Sequence, residues 1–166
     1  MTSPRFSIVP LGREHKRTGF CSGTGLLDRY FTELVSQDIR RNLTKCFVAV
    51  DNEQGDIAGF YTLSAAQIPL LHLPEKLAKQ MPRYNAVPAS RLGRLAIDKR
   101  YQGQGLGSVL LADALYRSSD SSLAVYALLA DAKDEHAEAF YLHHGFIPCD
   151  GVPNTLFLPL GTIGKL

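Results

Sequence analysis

The segment from Arg91 to Leu115, RLGRLAIDKRYQGQGLGSVLLADAL, constrains the fold more than any other part of the sequence. It reads as a short apolar strand, a turn with glycines at Gly103, Gly105 and Gly107, and a helix with an Ala/Leu face. Glycine is the residue that lets a ligand or another segment approach the main chain closely. The segment therefore predicts a strand–loop–helix unit in which a ligand or another part of the chain approaches the loop backbone closely.

Three interpretations of this glycine loop compete. A phosphate loop of the NTPase type requires a lysine directly after its last glycine, whereas Ser108 and Val109 follow Gly107 here. A dinucleotide loop requires GxGxxG and an acid about 20 residues later; the spacing here is GxGxG, and the region around Leu123 has no such acid. The remaining pattern is QxxGxG from Gln102, which can gather main-chain N–H groups around a diphosphate at a helix N-terminus. The alternative is a tight turn that binds nothing.

Length and composition indicate one globular domain over residues 1–166. The chain has a mass of 18.2 kDa, with 45% apolar and 20% charged residues, which suffices for a full core. No apolar run approaches the roughly 20 residues that span a bilayer, and the start lacks a signal-peptide apolar region, so we expect a cytoplasmic protein without membrane contact. Cys21, Cys46 and Cys149 are far apart and outside any CxxC pairing, which predicts neither disulfides nor a zinc site.

Hydrophobic periodicity predicts a mixed α/β chain with a central sheet. A strand in RFSIVPL precedes an amphipathic helix over 25–41, for which Thr24 is the expected N-cap. A hairpin of Phe47–Val50 and Ile57–Ser64, a short helix in LPEKLAKQM and a proline-bounded loop, PRYNAVP, follow. The later predicted elements are the strand Arg91–Ile97, the helix Leu106–Ser118, the strand Val125–Ala130, the helix Asp134–His144 ended by Gly145, and the strand Thr155–Leu160.

Positive charge is concentrated in two segments of a chain whose net charge is only +2. Residues 1–50 and 81–100 each carry a net charge of +4, whereas residues 51–80 and 101–166 carry −2 and −4. A shared basic face could contact phosphates, and ordinary solvated surface charge is the alternative. The candidate phosphate-contacting residues are Arg40, Arg41, Lys45, Arg91 and Arg94.

The segment RLGRLAIDKRYQGQGLGSVLLADAL resembles the acyl-coenzyme A site of the GCN5-related N-acetyltransferases (GNAT), whose diphosphate loop reads R/Q-x-x-G-x-G/A after the fourth strand. FCSGTGLLDRYF, GFYTLSA, PRYNAVPASRLGRLAID, DAKDEHAEAFYLHHGF and LFLPL are similar to one subgroup, the toxins encoded beside ribbon-helix-helix antitoxins. The resemblance implies the GNAT acyl-CoA N-acyltransferase fold, a central mixed sheet flanked by helices with splayed fourth and fifth strands. It also implies a metal-free enzyme that transfers acetyl from acetyl-CoA to the α-amino group of aminoacyl-tRNA and thereby blocks translation.

The same resemblance assigns roles to individual residues. The main chain of Leu95, Ala96 and Ile97 would bind the pantetheine arm as an added strand and supply an oxyanion donor. Tyr141 would be the general acid that protonates the leaving thiolate, although the spacing of its helix face also fits a tyrosine that only packs. The diphosphate would be held by Gln102, Gly103, Gln104, Gly105, Leu106, Gly107 and Ser108.

The sequence indicates no dedicated general base. An α-amino group has a pKa of about 7.7–8.0, and an adjacent ester lowers it, so water or a backbone carbonyl suffices. His143 and His144 are adjacent on a helix and therefore point in different directions; no HExxH pattern is present. We interpret them as satisfied or solvated histidines.

Two other classes of function stay open at this point. A small-molecule or protein N-acetyltransferase would need an acidic pocket rather than a basic face, and a non-catalytic acyl-CoA-binding domain would have no use for Tyr141. The partners that the resemblance implies are an aminoacyl-tRNA substrate and a ribbon-helix-helix antitoxin. A homodimer is the ordinary expectation for a soluble oligomer.

Overall fold

The computed structural model describes residues 4–81 and 83–162. Within these ranges no helix has the length and apolar character needed to cross a membrane. The strands are β1 (Phe6–Pro10), β2 (Lys45–Asp51), β3 (Ile57–Pro69), β4 (Ala86–Ile97), β5 (Ala127–Asp131), β6 (Ile147–Pro148) and β7 (Thr155–Pro159). The α-helices are α1 (Gly25–Arg29), α2 (Val35–Arg40), α3 (Glu75–Ala78), α4 (Leu106–Ser119) and α5 (Glu135–His143), and a π-helical turn, Tyr30–Leu34, joins α1 to α2.

The described strands form a mixed sheet in the order β1-β2-β3-β4-β5-β7-β6. The β1–β2, β2–β3, β5–β7 and β6–β7 pairs are antiparallel, and β4–β5 is parallel. The β4–β5 register runs from Ala89↔Ala127 to Leu92↔Ala130, whereas β4 itself continues to Ile97. The prediction of a mixed α/β chain with a central sheet is confirmed.

The chain divides into two compact units, of which the first comprises Met1–Ser64 and Gly93–Ala114. Its core is aromatic. Phe31 and Phe60 are fully buried and stack with their ring centroids 4.3 Å apart, and Phe20 packs edge-on against both rings. Buried aromatic pairs add stability beyond the area that they remove from water, so this cluster fixes the π-helical turn against β3.

The second unit comprises Ala65–Leu92 and Leu115–Leu166. Its core contains Ile68, Leu129 and Phe157, each almost completely buried. Burial of each such side chain contributes about 1.5–3 kcal/mol of hydrophobic stabilisation. The antiparallel β5–β7 register, Ala127↔Pro159 to Asp131↔Thr155, pairs Leu129 with Phe157.

The first predicted helix is present, but it is not a regular α-helix. Its middle turn is π-helical, and Leu34 has a φ of −112°. Thr24 lies at the N-cap, yet its side chain makes no capping hydrogen bond. Instead, the Ser22 N–H and hydroxyl donate to the Asp28 carboxylate at 2.9 and 2.6 Å. Ser22 and Asp28 thus form a side-chain contact across the start of the helix.

The loop predicted at PRYNAVP is partly wrong, because β4 begins at Ala86 rather than at Arg91. Val87 and Ala89 are buried and Pro88 between them is exposed, which is the alternation of a half-buried strand. The strand was not predicted because proline in a sequence segment argues against a strand. Pro82 lies outside the described residues. The strand predicted from Val125 begins at Ala127, and the strand predicted to end at Ser64 continues to Pro69. The other predicted elements agree with the structure within a few residues.

Candidate active site

The loop between β4 and α4 presents its main chain to open space. Gly103 and Gly105 have φ angles of +80° and +79°, a conformation that side chains rarely adopt. A Cβ at either position would meet none of the described atoms within 4 Å. Helix α4 starts at Leu106, and the Val109 N–H donates to the Gly105 carbonyl at 3.3 Å. Since the first N–H groups of a helix lack intrahelical acceptors, this loop can surround an anionic group with donors.

Side chains inside the first unit hold this loop in place. The Gln102 amide donates from Nε2 to the carbonyl oxygens of Ser22 at 2.8 Å and Ile97 at 2.9 Å. The buried Tyr101 hydroxyl donates to Asp51 Oδ2 at 2.7 Å. The Gln102 side chain therefore connects the end of β4 to the segment before α1. Because its amide is engaged in these hydrogen bonds, the predicted contact of Gln102 with the diphosphate would come from its main chain.

Two buried carboxylates fix the base of the loop. The hydrogen bond from Tyr101 lowers the pKa of Asp51 to about 2, against the opposing effect of burial. Burial alone would raise the pKa of Asp98, but hydrogen bonds from the Arg100 side chain and N–H and from the Cys21 N–H lower it overall. Both carboxylates are therefore ionised near neutral pH and hold the turn before Gln102 rigidly.

The C-terminal part of β4 carries the residues predicted to bind the pantetheine arm. Ala96 is buried, and Leu95 and Ile97 are half-buried. The neighbouring strand makes a close main-chain approach at Gly59, where a Cβ would lie 3.0 Å from the Ala96 carbonyl oxygen and 2.8 Å from the Ile97 side chain. Gly59 thus allows β3 and β4 to pack at this position without a side chain between them.

We expect Gly59→Ala to destabilise the protein by about 1–3 kcal/mol, because an added methyl group overpacks this contact. Urea unfolding followed by circular dichroism measures the loss. Gly25→Ala is the matched control, since its Cβ meets none of the described atoms within 4 Å. Equal stability of Gly59→Ala and wild type would contradict the tight packing at Ala96.

The predicted general acid, Tyr141, lies on α5 in the second unit. Its side chain is 5% exposed and packs against the rings of Phe140 and Phe146, both with centroids 5.3 Å away. Burial, and then the negative charge of Asp131, raise the pKa of Tyr141 above its ordinary value. The hydroxyl makes no hydrogen bond within residues 4–81 and 83–162, so its proton is available to a bound molecule. The catalytic and packing roles are compatible.

The two histidines at the end of α5 differ in their surroundings. His143 is exposed and His144 is half-buried, and the His144 ring packs edge-on against Phe140 at 4.8 Å. No cluster of three His, Cys, Asp or Glu side chains suitable for a metal occurs in the described part of the chain. The interpretation of His143 and His144 as satisfied or solvated histidines stays a prediction.

Three of the five candidate phosphate-contacting residues are exposed in the first unit. Arg40 is the last residue of α2, Arg41 follows it, and Lys45 begins β2. None of the three forms an ion pair with a described carboxylate. Their side chains are therefore available to an anionic partner.

The other two candidates have partners of their own. The Arg94 guanidinium lies 3.5 Å from the centre of the Tyr30 ring, a cation–π contact within the first unit. In the second unit, Arg91 Nη1 is 2.5 Å from Asp131 Oδ2. Arg94 therefore contacts the π-helical turn, and Arg91 forms an ion pair with Asp131.

Two arginines of the segment REHKR were not among the predicted phosphate-contacting residues. Arg13 and Arg17 line a cavity of about 290 Å³ in the first unit together with Arg40. The signal was present, because residues 13–17 contain three cations against one acid. It was passed over because this segment has no regular hydrophobic period and no motif.

A family model described as an acetyltransferase (GNAT) domain matches residues 42–148. The chain therefore belongs to the GNAT acetyltransferase family, and the fold that the resemblance implied is confirmed. The match includes β4, the glycine loop and α5. Acetyl-CoA-dependent acetyl transfer is the chemistry of this class of enzyme.

Within this family, the chain is similar to toxins of toxin–antitoxin pairs. A tRNA-acetylating toxin of Mycobacterium tuberculosis is 35% identical over 131 residues, which cover 78% of this chain and 76% of the toxin. The solved structure of AtaT complexed with acetyl-methionyl-tRNAfMet has a TM-score of 0.89 and 31% identity, covering 96% of this chain and 98% of that one. A tyrosine-to-phenylalanine mutant of AtaT, bound to acetyl-CoA and the C-terminus of the antitoxin AtaR, has a TM-score of 0.81 and 26% identity over 98% of both chains.

Proposed function

We propose that this chain is the toxin of a toxin–antitoxin pair and acetylates the α-amino group of aminoacyl-tRNA with acetyl-CoA, which blocks translation. The observation that carries the proposal is the open glycine loop at the start of α4, with Gly103 and Gly105 in left-handed conformations. It is supported by the tRNA-acetylating toxin that is 35% identical and by the structure of AtaT complexed with acetyl-methionyl-tRNAfMet. Residues 1–166 would form one acetyltransferase domain.

In this proposal the main chain of the first unit binds acetyl-CoA. The amides of residues 102–108 hold the diphosphate, assisted by the positive end of the α4 dipole. The main chain of Leu95, Ala96 and Ile97 hydrogen-bonds to the pantetheine arm, as an added strand would. This role is supported by the β4–β5 register, which ends at Leu92 while β4 continues to Ile97.

Transfer then proceeds through a tetrahedral intermediate. The α-amino nitrogen attacks the thioester carbon, and the C–N bond forms as the carbonyl oxygen becomes an oxyanion held by a β4 main-chain N–H. When the C–S bond breaks, the sulfur takes the proton of the Tyr141 hydroxyl and leaves as the thiol of coenzyme A. The nitrogen releases its own proton to water, and Tyr141 is reprotonated from solvent.

The pH dependence of the rate follows from these two groups. The amine must be neutral to attack, so kcat/KM should rise as the pH increases through the pKa of the α-amino group, about 7.7–8.0 or below. Because burial raises the pKa of Tyr141 above the ordinary value of 10.0, the acid stays protonated and the rate should be flat from about pH 9 to pH 10. Initial rates corrected for ester hydrolysis test this, and a falling limb centred below pH 9 would contradict it.

Basic side chains would position the tRNA through its phosphates. The exposed candidates are Arg40, Arg41 and Lys45. Arg91 and Arg94 would contact phosphates while they stay in contact with Asp131 and Tyr30, respectively. An antitoxin partner is supported by the AtaT–AtaR complex. We further propose that this antitoxin is a ribbon-helix-helix protein, that the toxin is a homodimer, and that it acts in the cytoplasm, where charged tRNA is found.

The function is tested by offering labelled acetyl-CoA to the protein with charged tRNA, uncharged tRNA, a peptide or spermidine. We expect label on the charged tRNA alone, because uncharged tRNA has no α-amino group and because the peptide and spermidine lack the phosphates through which the basic side chains would position the acceptor. Label only on spermidine or the peptide would overturn the proposal in favour of a small-molecule or protein acetyltransferase. Binding of acetyl-CoA without transfer to any acceptor would overturn it in favour of a non-catalytic domain.

A further inference from the structure

The cavity of about 290 Å³ in the first unit is lined by three arginines, Arg13, Arg17 and Arg40, and by His15. Its lining contains no acidic residue. Arg13 and Arg40 are exposed and form no ion pair with any carboxylate in the described ranges. By comparison, the exposed Arg29 pairs with Glu33 at 3.0 Å. The cavity therefore concentrates positive charge, and the acid beside it is Glu14, whose carboxylate lies next to Gly12 and His15.

Two of the lining side chains are held in fixed positions. Arg17 Nη1 donates to the carbonyl oxygen of Phe31 in the π-helical turn at 2.8 Å. His15 Nδ1 accepts the Gly12 N–H at 2.8 Å, so the neutral ring carries its hydrogen on Nε2. The nearest acid at this ring is Glu14, whose Oε1 is 3.7 Å from Nε2 and whose side chain is 75% exposed. The donors are thus arranged before any ligand binds.

The chemistry of this lining fits a phosphate group of a larger molecule. Guanidinium groups bind phosphate oxygens through paired N–H donors. Cavities that enclose a whole small ligand have volumes of about 300–1,000 Å³, so 290 Å³ is at the lower limit and suits one charged group of a polymer. A phosphodiester meets both conditions.

The position of the cavity along the chain connects it to the acetyl-CoA loop. Only three residues separate Arg17 from Cys21, so the two are at most about 14 Å apart when the chain is fully extended. The Cys21 N–H donates to Asp98 and its carbonyl accepts the Lys99 N–H, while the Ser22 carbonyl accepts the Gln102 amide. A ligand in the cavity is therefore held near the loop proposed to bind acetyl-CoA.

We propose that the cavity formed by Arg13, Arg17 and Arg40 binds a phosphodiester of the acceptor arm of the aminoacyl-tRNA and positions its charged end for acetyl transfer. This inference rests on the proposed function. It adds Arg13 and Arg17 to the residues proposed to contact the tRNA, and it assigns Arg40 to the same phosphate-binding cavity. Phosphate contacts of this kind set register and affinity and do not depend on the amino acid carried.

The test compares Arg13→Gln/Arg40→Gln with the matched double variant Arg29→Gln/Lys79→Gln, which removes the same charge from two exposed ion-paired cations. Direct tRNA binding is measured against salt concentration. We expect Kd to rise at least about 10-fold for the first variant, with the salt slope reduced by about 1.4–1.8 for two lost contacts. The control should bind as wild type does, and KM for acetyl-CoA should not change in either.

A second measurement tests whether the loss of tRNA binding comes from lost phosphate contacts. An aminoacylated acceptor-arm minihelix should become a poorer substrate for Arg13→Gln/Arg40→Gln, whereas the same amino acid esterified to adenosine, which lacks phosphodiesters, should be acetylated equally well by variant and wild type. Equal losses in both double variants, a raised KM for acetyl-CoA, or loss of antitoxin-peptide binding with tRNA binding intact would each overturn the proposal. Because tRNA binding is read directly, failure here is distinguishable from failure of wild type to acetylate tRNA.

Discussion

Tyr141→Phe is expected to lower kcat by about 10²–10⁴-fold, the usual contribution of a positioned general acid, while binding of acetyl-CoA is unchanged. The phenylalanine keeps the ring that packs against Phe140 and Phe146 and removes only the proton donor. The leaving thiolate must then take its proton from water. Single-turnover kinetics with charged tRNA, together with calorimetric titration of acetyl-CoA, separate the chemical step from binding.

Tyr126→Phe is the matched control for this variant. Tyr126 is also a partly buried tyrosine of the second unit, and burial raises its pKa as well, but no catalytic role is proposed for it. Expression of wild type or Tyr126→Phe should arrest growth, whereas expression of Tyr141→Phe should not. Full toxicity and full kcat in Tyr141→Phe would remove this residue from the mechanism and leave it a packing tyrosine.

Gly105→Val is expected to weaken acetyl-CoA binding by about 100-fold or more. Gly105 has a φ of +79°, where a β-branched residue is strongly disfavoured. In addition, its side chain would occupy the open space beside the loop in which we propose that the diphosphate binds. The main-chain donors would be displaced or covered, so the loss should appear in Kd for acetyl-CoA and in KM together.

Gly55→Val separates backbone strain from loss of the ligand contact. Gly55 has a φ of +78° and an open surrounding like that of Gly105, but it lies in the turn between β2 and β3. Both variants should lose similar stability in a thermal melt, and only Gly105→Val should lose acetyl-CoA binding. An unchanged Kd in Gly105→Val would show that the diphosphate binds elsewhere.

Local sequence signals predicted the elements that carry the chemistry. The Gly–Leu–Gly start of α4 and the end of α5 at Gly145, with a φ of +88°, are encoded within a few residues of each element. The π-helical turn at Tyr30–Leu34 was not predictable in this way, because an inserted residue hardly changes a pattern of threes and fours. The Phe31–Phe60 stack that accompanies the turn is a tertiary contact.

Side-chain partners were the least predictable part of the site. The clustering of positive charge predicted phosphate contacts for Arg91 and Arg94. In the structure, however, Arg91 forms an ion pair with Asp131 and Arg94 packs on the Tyr30 ring. These partners lie 40 or more residues away along the chain, so no local pattern reveals them. For the same reason, the meeting of Arg13 with Arg40 in one cavity required the fold.

The proposed geometry is tested most directly by a crystal structure with a non-hydrolysable aminoacyl-tRNA analogue and an acetyl-CoA analogue that keeps the sulfur but cannot transfer its acetyl group. We expect diphosphate oxygens within about 2.7–3.2 Å of main-chain nitrogens of residues 103–108. We also expect the α-amino nitrogen about 3–3.5 Å from the carbonyl carbon of the acetyl group and the Tyr141 hydroxyl within hydrogen-bonding distance of the sulfur. A diphosphate bound away from this loop, or a Tyr141 hydroxyl facing away from the sulfur, would contradict the proposed geometry.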